Sequence, residues 1–374
     1  SAQKLMWFYE KSGGPSTDGV ITITPDVVTD LLKITGPIDL QQQYGITVDA
    51  QNFVHDVLMQ IQEKRDAANA NPDVTTNDKP KQIIADLVPV MLDKVLTVAT
   101  ADPITILKVF ESHIKQKNIL LYSPEKEIQS QLRQLGWAGA IRVSASDYIS
   151  VIDTNIGGGK TDGVIDETVE HTATIRQNGS IVDTVTITRV HLGDPDDPIT
   201  GSVNKDYIRL YVPQGSTIID AQGFNQPDAK DFLEPASTAV VDTTLEQVSG
   251  HPITDTVTGM TTGNEFGKTV FSNWMIVKPG ETAKATIAYQ LPFRITFPFW
   301  PWQSGNQTYS LLAQKQSGAK TRYFSHTLQF PDSLVPRSIE PQNVVTQNSS
   351  TSLGMALPLV TDQLYGVVFK KNNR

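Results

Sequence analysis

The sequence contains no cysteine. Thiol nucleophiles, iron–sulfur clusters, cysteine zinc sites and disulfides are excluded with it, so stability must come from packing. A chain without thiols also suits export from a bacterium, because nothing can mispair. No run of 18 apolar residues occurs, so no segment reads as a membrane-spanning helix. No basic-apolar leader opens the chain at Ser1, and Gln3 to Tyr9 reads as the middle of a helix, which points to a preceding segment having been removed. Positive charge is scarce too. Lys plus Arg number 31 against 40 Asp plus Glu, a net charge of -9 that disfavours nucleic acid as a partner, since phosphate contacts need clustered cations. Neither Gly-x-Ser-x-Gly nor His-Glu-x-x-His appears, which removes two common hydrolase signatures.

What is present is globular: 374 residues, 39% hydrophobic and 19% charged, a length that suggests two domains. In the first part, Val20 to Thr24 is a short β-branched run, and Thr24-Pro25 starts a helix carrying Val27, Val28, Leu31 and Leu32 until Gly36-Pro37 stops it. Asp49 caps a second helix with Phe53, Val54, Val57, Leu58 and Ile61 on one face. Ile84, Leu87, Val88, Met91, Leu92 and Val95 form a wide apolar stripe, with Pro89 kinking that helix or starting its second piece. Asp102-Pro103 opens another helix, Asn118 to Tyr122 is a strand, and a last helix places Ile128, Leu132 and Leu135 inside. Strands alternating with helices predict an α/β or α+β layer with a mixed sheet over residues 1–147.

After Asp147 the period changes to two, with Gly, Pro, Asn and Asp between short runs. One hairpin can be registered. A two-residue Asn178-Gly179 turn would oppose Ile175 to Val182 and pair apolar residues with threonines, whereas a three-residue loop with left-handed Gly179 opposes Ile175 to Ile181 and Val169 to Ile187. Further strands are predicted at residues 207–212, 270–277, 283–290, 309–315, 325–330 and 364–369, the Pro279-Gly280 turn making two of them hairpin neighbours. The expected architecture is one or two antiparallel, immunoglobulin-like β-sandwich units: residues 148–304, then a β-rich extension or second β unit over 305–374. The threonine-rich stretch from Asp220 to Gly263 reads as a surface excursion.

Chemical motifs are sparse. Gly157-Gly158-Gly159-Lys160-Thr161 suggests a phosphate loop, but Thr154 stands where the first glycine belongs, and Asp162 onward reads as strand rather than helix. Ser112 with Lys115, and Ser317 with Lys320, have the Ser-x-x-Lys spacing of penicillin-recognising enzymes without the accompanying Ser-Asp-Asn or Lys-Thr-Gly. Asp194, Asp196 and Asp197 could hold calcium or form a solvated turn. The six histidines are dispersed, and the hairpin register sets His171 against Val185, so no metal cluster is expected and no catalytic residue is assigned. Phe293, Phe297, Phe299, Trp300 and Trp302 alternate with prolines. They read either as buried between layers or, for Phe297, Phe299, Trp300 and Trp302, as an aromatic contact surface for glycan, lipid headgroup or protein.

Four motifs carry a family resemblance: Asp18-Gly19-Val20-Ile21-Thr22-Ile23 running to Leu31-Leu32-Lys33-Ile34-Thr35-Gly36-Pro37; Leu120-Leu121-Tyr122-Ser123; Leu135-Gly136-Trp137-Ala138-Gly139; and Asp153-Thr154-Asn155-Ile156-Gly157-Gly158-Gly159-Lys160. In this order and spacing the chain resembles the carboxy-terminal part of the domain-of-unknown-function 4012 family of bacterial envelope proteins. The resemblance implies a membrane-tethered parent with this part outside the cytoplasmic membrane, and no established activity. More distantly it is similar to the LytR-CpsA-Psr phosphotransferases, which attach lipid-pyrophosphate-carried polymers to cell wall with arginines and magnesium. Lys64-Arg65-Asp66 and Lys79-Pro80-Lys81-Gln82 resemble their Arg-x-Arg, Asp and Arg-Gln run, with lysine replacing arginine at most positions; lysine lacks the bidentate fork suited to phosphate. That family's other arginine and acidic positions would precede Ser1. Read from charge alone, Lys64 to Asp66 is a solvated helix terminus.

Two functions are therefore expected, in this order. The first is an extracytoplasmic surface or envelope protein without a cofactor, a structural or binding module whose partner is an envelope polymer, another surface protein or the removed front part of its parent. The second is a phosphotransferase-like protein that binds a lipid-linked pyrophosphate through Lys64, Arg65, Lys79 and Lys81, with magnesium.

Overall fold

The computed structural model describes residues 1–70, 80–157, 159–296, 307–320 and 322–372. The chain forms two compact units, Ser1–Ala140 and Ile141–Arg374. Its architecture is mixed α/β, with helices concentrated in the first unit and strands in the second.

In order, the first unit contains α1 (Ala2–Lys11), β1 (Val20–Ile23), α2 (Pro25–Thr35), β2 (Ile38–Leu40), α3 (Gln41–Tyr44), β3 (Ile46–Val48), α4 (Phe53–Ala70), α5 (Gln82–Ala101), α6 (Pro103–Lys115), β4 (Ile119–Tyr122) and α7 (Lys126–Gln134). Local chemistry sets several boundaries. Pro25 occupies the first turn of α2 and Gly36 ends it at φ 76°, while the Asp102 carboxylate accepts from the Thr105 amide to cap α6. The core gathers Val27, Leu31 and Leu32 of α2 with Ile83, Leu87, Met91 and Val95 of α5.

Three expectations for this unit need correction. Among the described residues no mixed sheet forms in this unit: β1 pairs antiparallel with β4, and β2 with β3, as separate two-stranded ribbons. Alternating strands and helices resemble a wound sheet in sequence, but here the helices bury their faces mainly against one another. On α5 the buried row is a narrow i, i+4 line from Ile83 to Val95. Ile84, Val88 and Leu92, one step round the helix, are 42–56% exposed. Pro89 lies within a continuous helix. On α7, Ile128 and Leu135 are exposed as well.

The second unit runs β5 (Asp147–Ile152), β6 (Ile165–Ile175), β7 (Ser180–His191), β8 (Asn204–Pro213), β9 (Thr217–Gln222), α8 (Thr243–Ser249), β10 (Ile253–Thr254), β11 (Thr261–Glu265), β12 (Lys268–Val277), β13 (Thr282–Arg294), β14 (Thr308–Ala313), β15 (Tyr323–Gln329), β16 (Leu334–Glu340), β17 (Thr346–Ser349), β18 (Ser352–Pro358) and β19 (Gln363–Lys371). Among the described residues, an eight-stranded sheet has the order β10-β11-β12-β8-β5-β14-β19-β16, and a seven-stranded sheet β17-β18-β15-β6-β7-β13-β9. Alternate residues of both enter one shared core, including Ile149, Ile208, Phe271, Val185, Ile287 and Phe324.

The β6–β7 hairpin has the predicted register: Ile175 opposes Ile181, Val169 opposes Ile187 and His171 opposes Val185. Gly179 has φ 78° and its amide donates to Arg176 O at 2.8 Å, as a three-residue loop requires. Four other relationships differ. Two ladders are parallel, β14 with β5 and β15 with β6, so the sheets are mixed rather than purely antiparallel. Residues after 305 supply strands to both sheets instead of a unit of their own, and the division between units falls at Ala140/Ile141 instead of 147/148. Finally, Pro279-Gly280 does not close a hairpin: β12 belongs to the eight-stranded sheet and β13 to the seven-stranded one, so this turn carries the chain between sheets. The turn is tight as predicted, and only its partners differ.

Candidate functional site

Of the basic residues suggested by sequence, Lys79 lies outside the described residues. Lys64 on α4 is half-buried, with its ammonium 4.8 Å from the centre of the Tyr44 ring. The Tyr44 hydroxyl donates to Asp86 at 2.5 Å, and Gln82 donates to the same carboxylate at 2.9 Å. Those bonds, with the Lys64 charge added, hold the Asp86 carboxyl below its usual range. Arg65 and Lys81 are exposed, Lys81 at the start of α5. Lys64 thus has an aromatic and an acidic neighbour of its own. Phe297, Phe299, Trp300 and Trp302 also lie outside the described residues.

The weaker motifs resolve into local structure. Lys115 pairs with Glu111 at 2.5 Å, Lys320 with Asp166 at 2.6 Å, and the Asp197 carboxylate accepts from the Ile199 and Thr200 amides of its own turn. At one end of the β-rich unit an open groove of about 830 Å³ is lined by residues such as Arg176, Asn178, Gln329, Ser349 and Thr351.

The densest chemistry lies in the buried interior of the second unit. Because β15 runs parallel to β6, His326 stands opposite His171, and their Nδ1 atoms are 2.8 Å apart. One ring must donate to the other. His171 Nε2 lies 3.5 Å from Asp183 Oδ2 on β7 and 3.9 Å from Asp147 Oδ2 at the start of β5. The Tyr309 hydroxyl of β14 donates to Asp147 Oδ2 at 2.5 Å. Asp147, Asp183 and His326 are fully buried and His171 is 1% exposed. The imidazole ring of His171, the two oxygens of Asp183 and the hydroxyl of Tyr289 include atoms without a hydrogen-bond partner: His171 Nε2, Asp183 Oδ1 and Oδ2, and Tyr289 Oη. Burial, reinforced by the neighbouring Asp183 charge, pushes the Asp147 carboxyl up to about 7, and burial raises Asp183 further. Both imidazoles are pushed down by the same desolvation.

Four to six residues along the same strands or just past their ends, with Asp206 added from β8, lies a second buried group. Arg189 Nη1 meets Asp206 at 2.5 Å, Glu167 at 2.8 Å and Asp153 at 3.1 Å, while Arg322 reaches Asp153 at 2.5 Å and Glu167 at 2.9 Å. Three carboxylates thus share two guanidiniums. Desolvation pushes Glu167 up to about 7 and Asp206 to about 8; at Asp153 the two arginines outweigh burial and hold the carboxyl low.

The sequence reading missed both groups. It treated the histidines as dispersed because His171 and His326 are 155 positions apart. The available signal was a histidine, an aspartate or an arginine at inward-facing positions of otherwise apolar strands, as at His171, Asp183 and Arg189.

Comparison with known proteins bears on the first unit. Residues 1–61 match the family model described as "Protein of unknown function (DUF4012)". That stretch contains the first of the four motifs and ends before Lys64, so it supports the DUF4012 resemblance and adds nothing to the LytR-CpsA-Psr one. No curated protein matches the chain. Among solved structures, an M1 zinc metallopeptidase from Deinococcus radiodurans bound to a Tyr-Ser-Ala substrate is 13% identical with a TM-score of 0.26, over 54% of this chain and 42% of the peptidase. A protein from Legionella pneumophila described as nutrient binding is 8% identical with a TM-score of 0.29, over 60% of this chain and 72% of that one. The chain spans about two fifths of the peptidase (42%), and likeness at these scores carries no argument about chemistry.

Proposed function

We propose that the chain is a non-catalytic structural or binding module of the bacterial envelope, held outside the cytoplasmic membrane, with its β-rich unit acting as an immunoglobulin-like scaffold. One observation carries this reading. Of the titratable side chains most densely gathered in the second unit, Asp147, His171, Asp183, Arg189, Asp206 and His326 are at most 2% exposed, and Arg322, Glu167 and Asp153 reach only 6%, 7% and 17%, which leaves a substrate little access to them. Such groups organise a core instead of a reaction. The DUF4012 match over residues 1–61 supports the envelope setting through the resemblance.

The test is sedimentation of the purified chain with cell-wall sacculi and, separately, thermal melting with a polyprenyl pyrophosphate and magnesium. Retention on sacculi with an unmoved melting temperature supports the scaffold reading. A saturable rise in Tm with the pyrophosphate, lost in Lys64→Ala, would instead favour the phosphotransferase-like alternative, because a ligand stabilises only the state that binds it.

A further inference from the structure

We propose that Asp147, His171 and Asp183 bind one divalent transition-metal ion, of which zinc is the best match, sealed within the core of the β-rich unit. This site is independent of the envelope reading.

Geometry is the first support. One ligand atom from each residue falls within 4.8 Å of the others, with His171 Nε2 to the two carboxylates at 3.5 and 3.9 Å. Donors on a tetrahedral shell of 2.0–2.2 Å radius stand roughly 3.3–3.6 Å apart, so a small contraction completes the arrangement.

The second support is what these atoms lack. His171 Nε2 and both oxygens of Asp183 have no hydrogen bond of normal geometry, the Tyr289 hydroxyl and Asp147 acting on Asp183 only outside it, although their side chains are out of contact with solvent. A buried polar atom left in that state costs on the order of 1–3 kcal/mol, and native proteins leave few of them. A shared cation satisfies all three atoms together. Asp183, with two available oxygens, can contribute a fourth donor. Charge balance agrees: two ionised carboxylates and a dication sum to zero.

The surroundings suit a ligand set. With His171 Nδ1 donating to His326 Nδ1 at 2.8 Å, the lone pair on Nε2 is directed at the carboxylates, and Tyr309 fixes Asp147 from the far side at 2.5 Å. One imidazole and two carboxylates suit zinc, or manganese and iron(II) next; calcium and magnesium prefer oxygen-only shells with water. Enclosure on all sides assigns the ion a structural role acquired during folding.

The experiment uses the untagged full chain. Elemental analysis after purification without chelator is expected to find about one equivalent of zinc, manganese or iron per chain, as a closed three-residue site demands. Unfolding in chelator and refolding without metal is expected to lower Tm, and adding zinc back to restore it. Asp183→Asn is expected to lose the ion, His326→Gln to weaken its retention about 10–100-fold, and His55→Ala, an exposed control, to change nothing. Should Asp183→Asn fail to fold, cobalt(II) substitution of the wild-type chain decides through its visible absorption, since low coordination by nitrogen and oxygen gives an intense band. A wild-type chain that refolds metal-free with unchanged Tm in the presence of zinc, manganese, iron(II) or cobalt(II) would overturn the proposal. So would full retention of the ion by folded Asp183→Asn.

Discussion

Arg189 joins the two sheets of the β-rich unit by donating from its Nη1 to Oδ2 of Asp206 across 2.5 Å, the arginine on β7 of one sheet and the aspartate on β8 of the other. Neither side chain is more than 2% exposed. The same guanidinium lies 3.1 Å from Asp153, whose carboxyl the two arginines hold low, and removing one partner of a buried ion pair strands the other's charge. Arg189→Met is therefore expected to destabilise the second unit by about 3–5 kcal/mol. The double variant Arg189→Met with Asp206→Leu should recover part of that loss, since Glu167 and Asp153 are still left to Arg322 alone. Urea denaturation of the full chain measures both, and a single variant within about 1 kcal/mol of wild type would contradict the stranded-charge account.

The same group sets a pH dependence. Glu167 at about 7 and Asp206 at about 8 hold protons in the folded chain that the unfolded chain releases near pH 4. Folding takes up protons in that interval, so their contribution is whole below about pH 4 and is lost as pH rises through 7 to 8. Asp153, held low, acts oppositely: its contribution is present above about pH 4 and lost in acid. Tm of the second unit is expected to fall between about pH 5 and 8 and to level off above pH 8 as far as these two groups are concerned. Asp206→Asn, which keeps volume and loses the titration, should flatten that fall; an equal slope in the variant would assign it to other groups.

What could be read from the chain followed the range of the interactions involved. The β6–β7 hairpin was legible because only one loop length puts Ile175 and Val169 opposite apolar partners, and Asp102 and Pro25 announce their helices within one turn. The His171–His326 contact was not, since parallel pairing between strands 155 positions apart leaves no local mark. Pro279-Gly280 shows an intermediate case: it specifies a turn, while the choice between hairpin and crossing to the other sheet depends on which edges are already occupied. Lys64 was singled out by charge, yet charge alone could not foresee Tyr44 and Asp86 beside it.

The buried line on α5 gives a paired prediction from one residue type. Leu87 is 3% exposed and Leu92 is 56% exposed on the same helix. Leu87→Ala should cost the first unit about 2–5 kcal/mol through lost transfer energy and a cavity, while Leu92→Ala should remain within about 1 kcal/mol. Comparable losses at both positions, measured by chemical denaturation, would mean that a wider face of α5 is covered in solution.

Gly179 offers the sharpest separation of backbone strain from collision. It has φ 78°, and a Cβ placed on it would collide with the carbonyl oxygen of Ile295, whose own amide donates to Gly179 O at 2.9 Å. Alanine there must both adopt a left-handed backbone, costing about 1–2 kcal/mol, and push the end of β13 away from the hairpin. Gly267, at the turn between β11 and β12, has a similar φ of 71° with nothing within 4 Å of its notional Cβ. Gly267→Ala therefore measures the strain alone, at about 1–2 kcal/mol, within the same folding unit. Gly179→Ala is expected to cost clearly more, with the excess reporting the displaced Ile295 carbonyl and its hydrogen bond. Equal losses in the two variants, read from the same urea transition, would show that the chain beyond Leu291 yields freely and that the hairpin turn is not braced against β13.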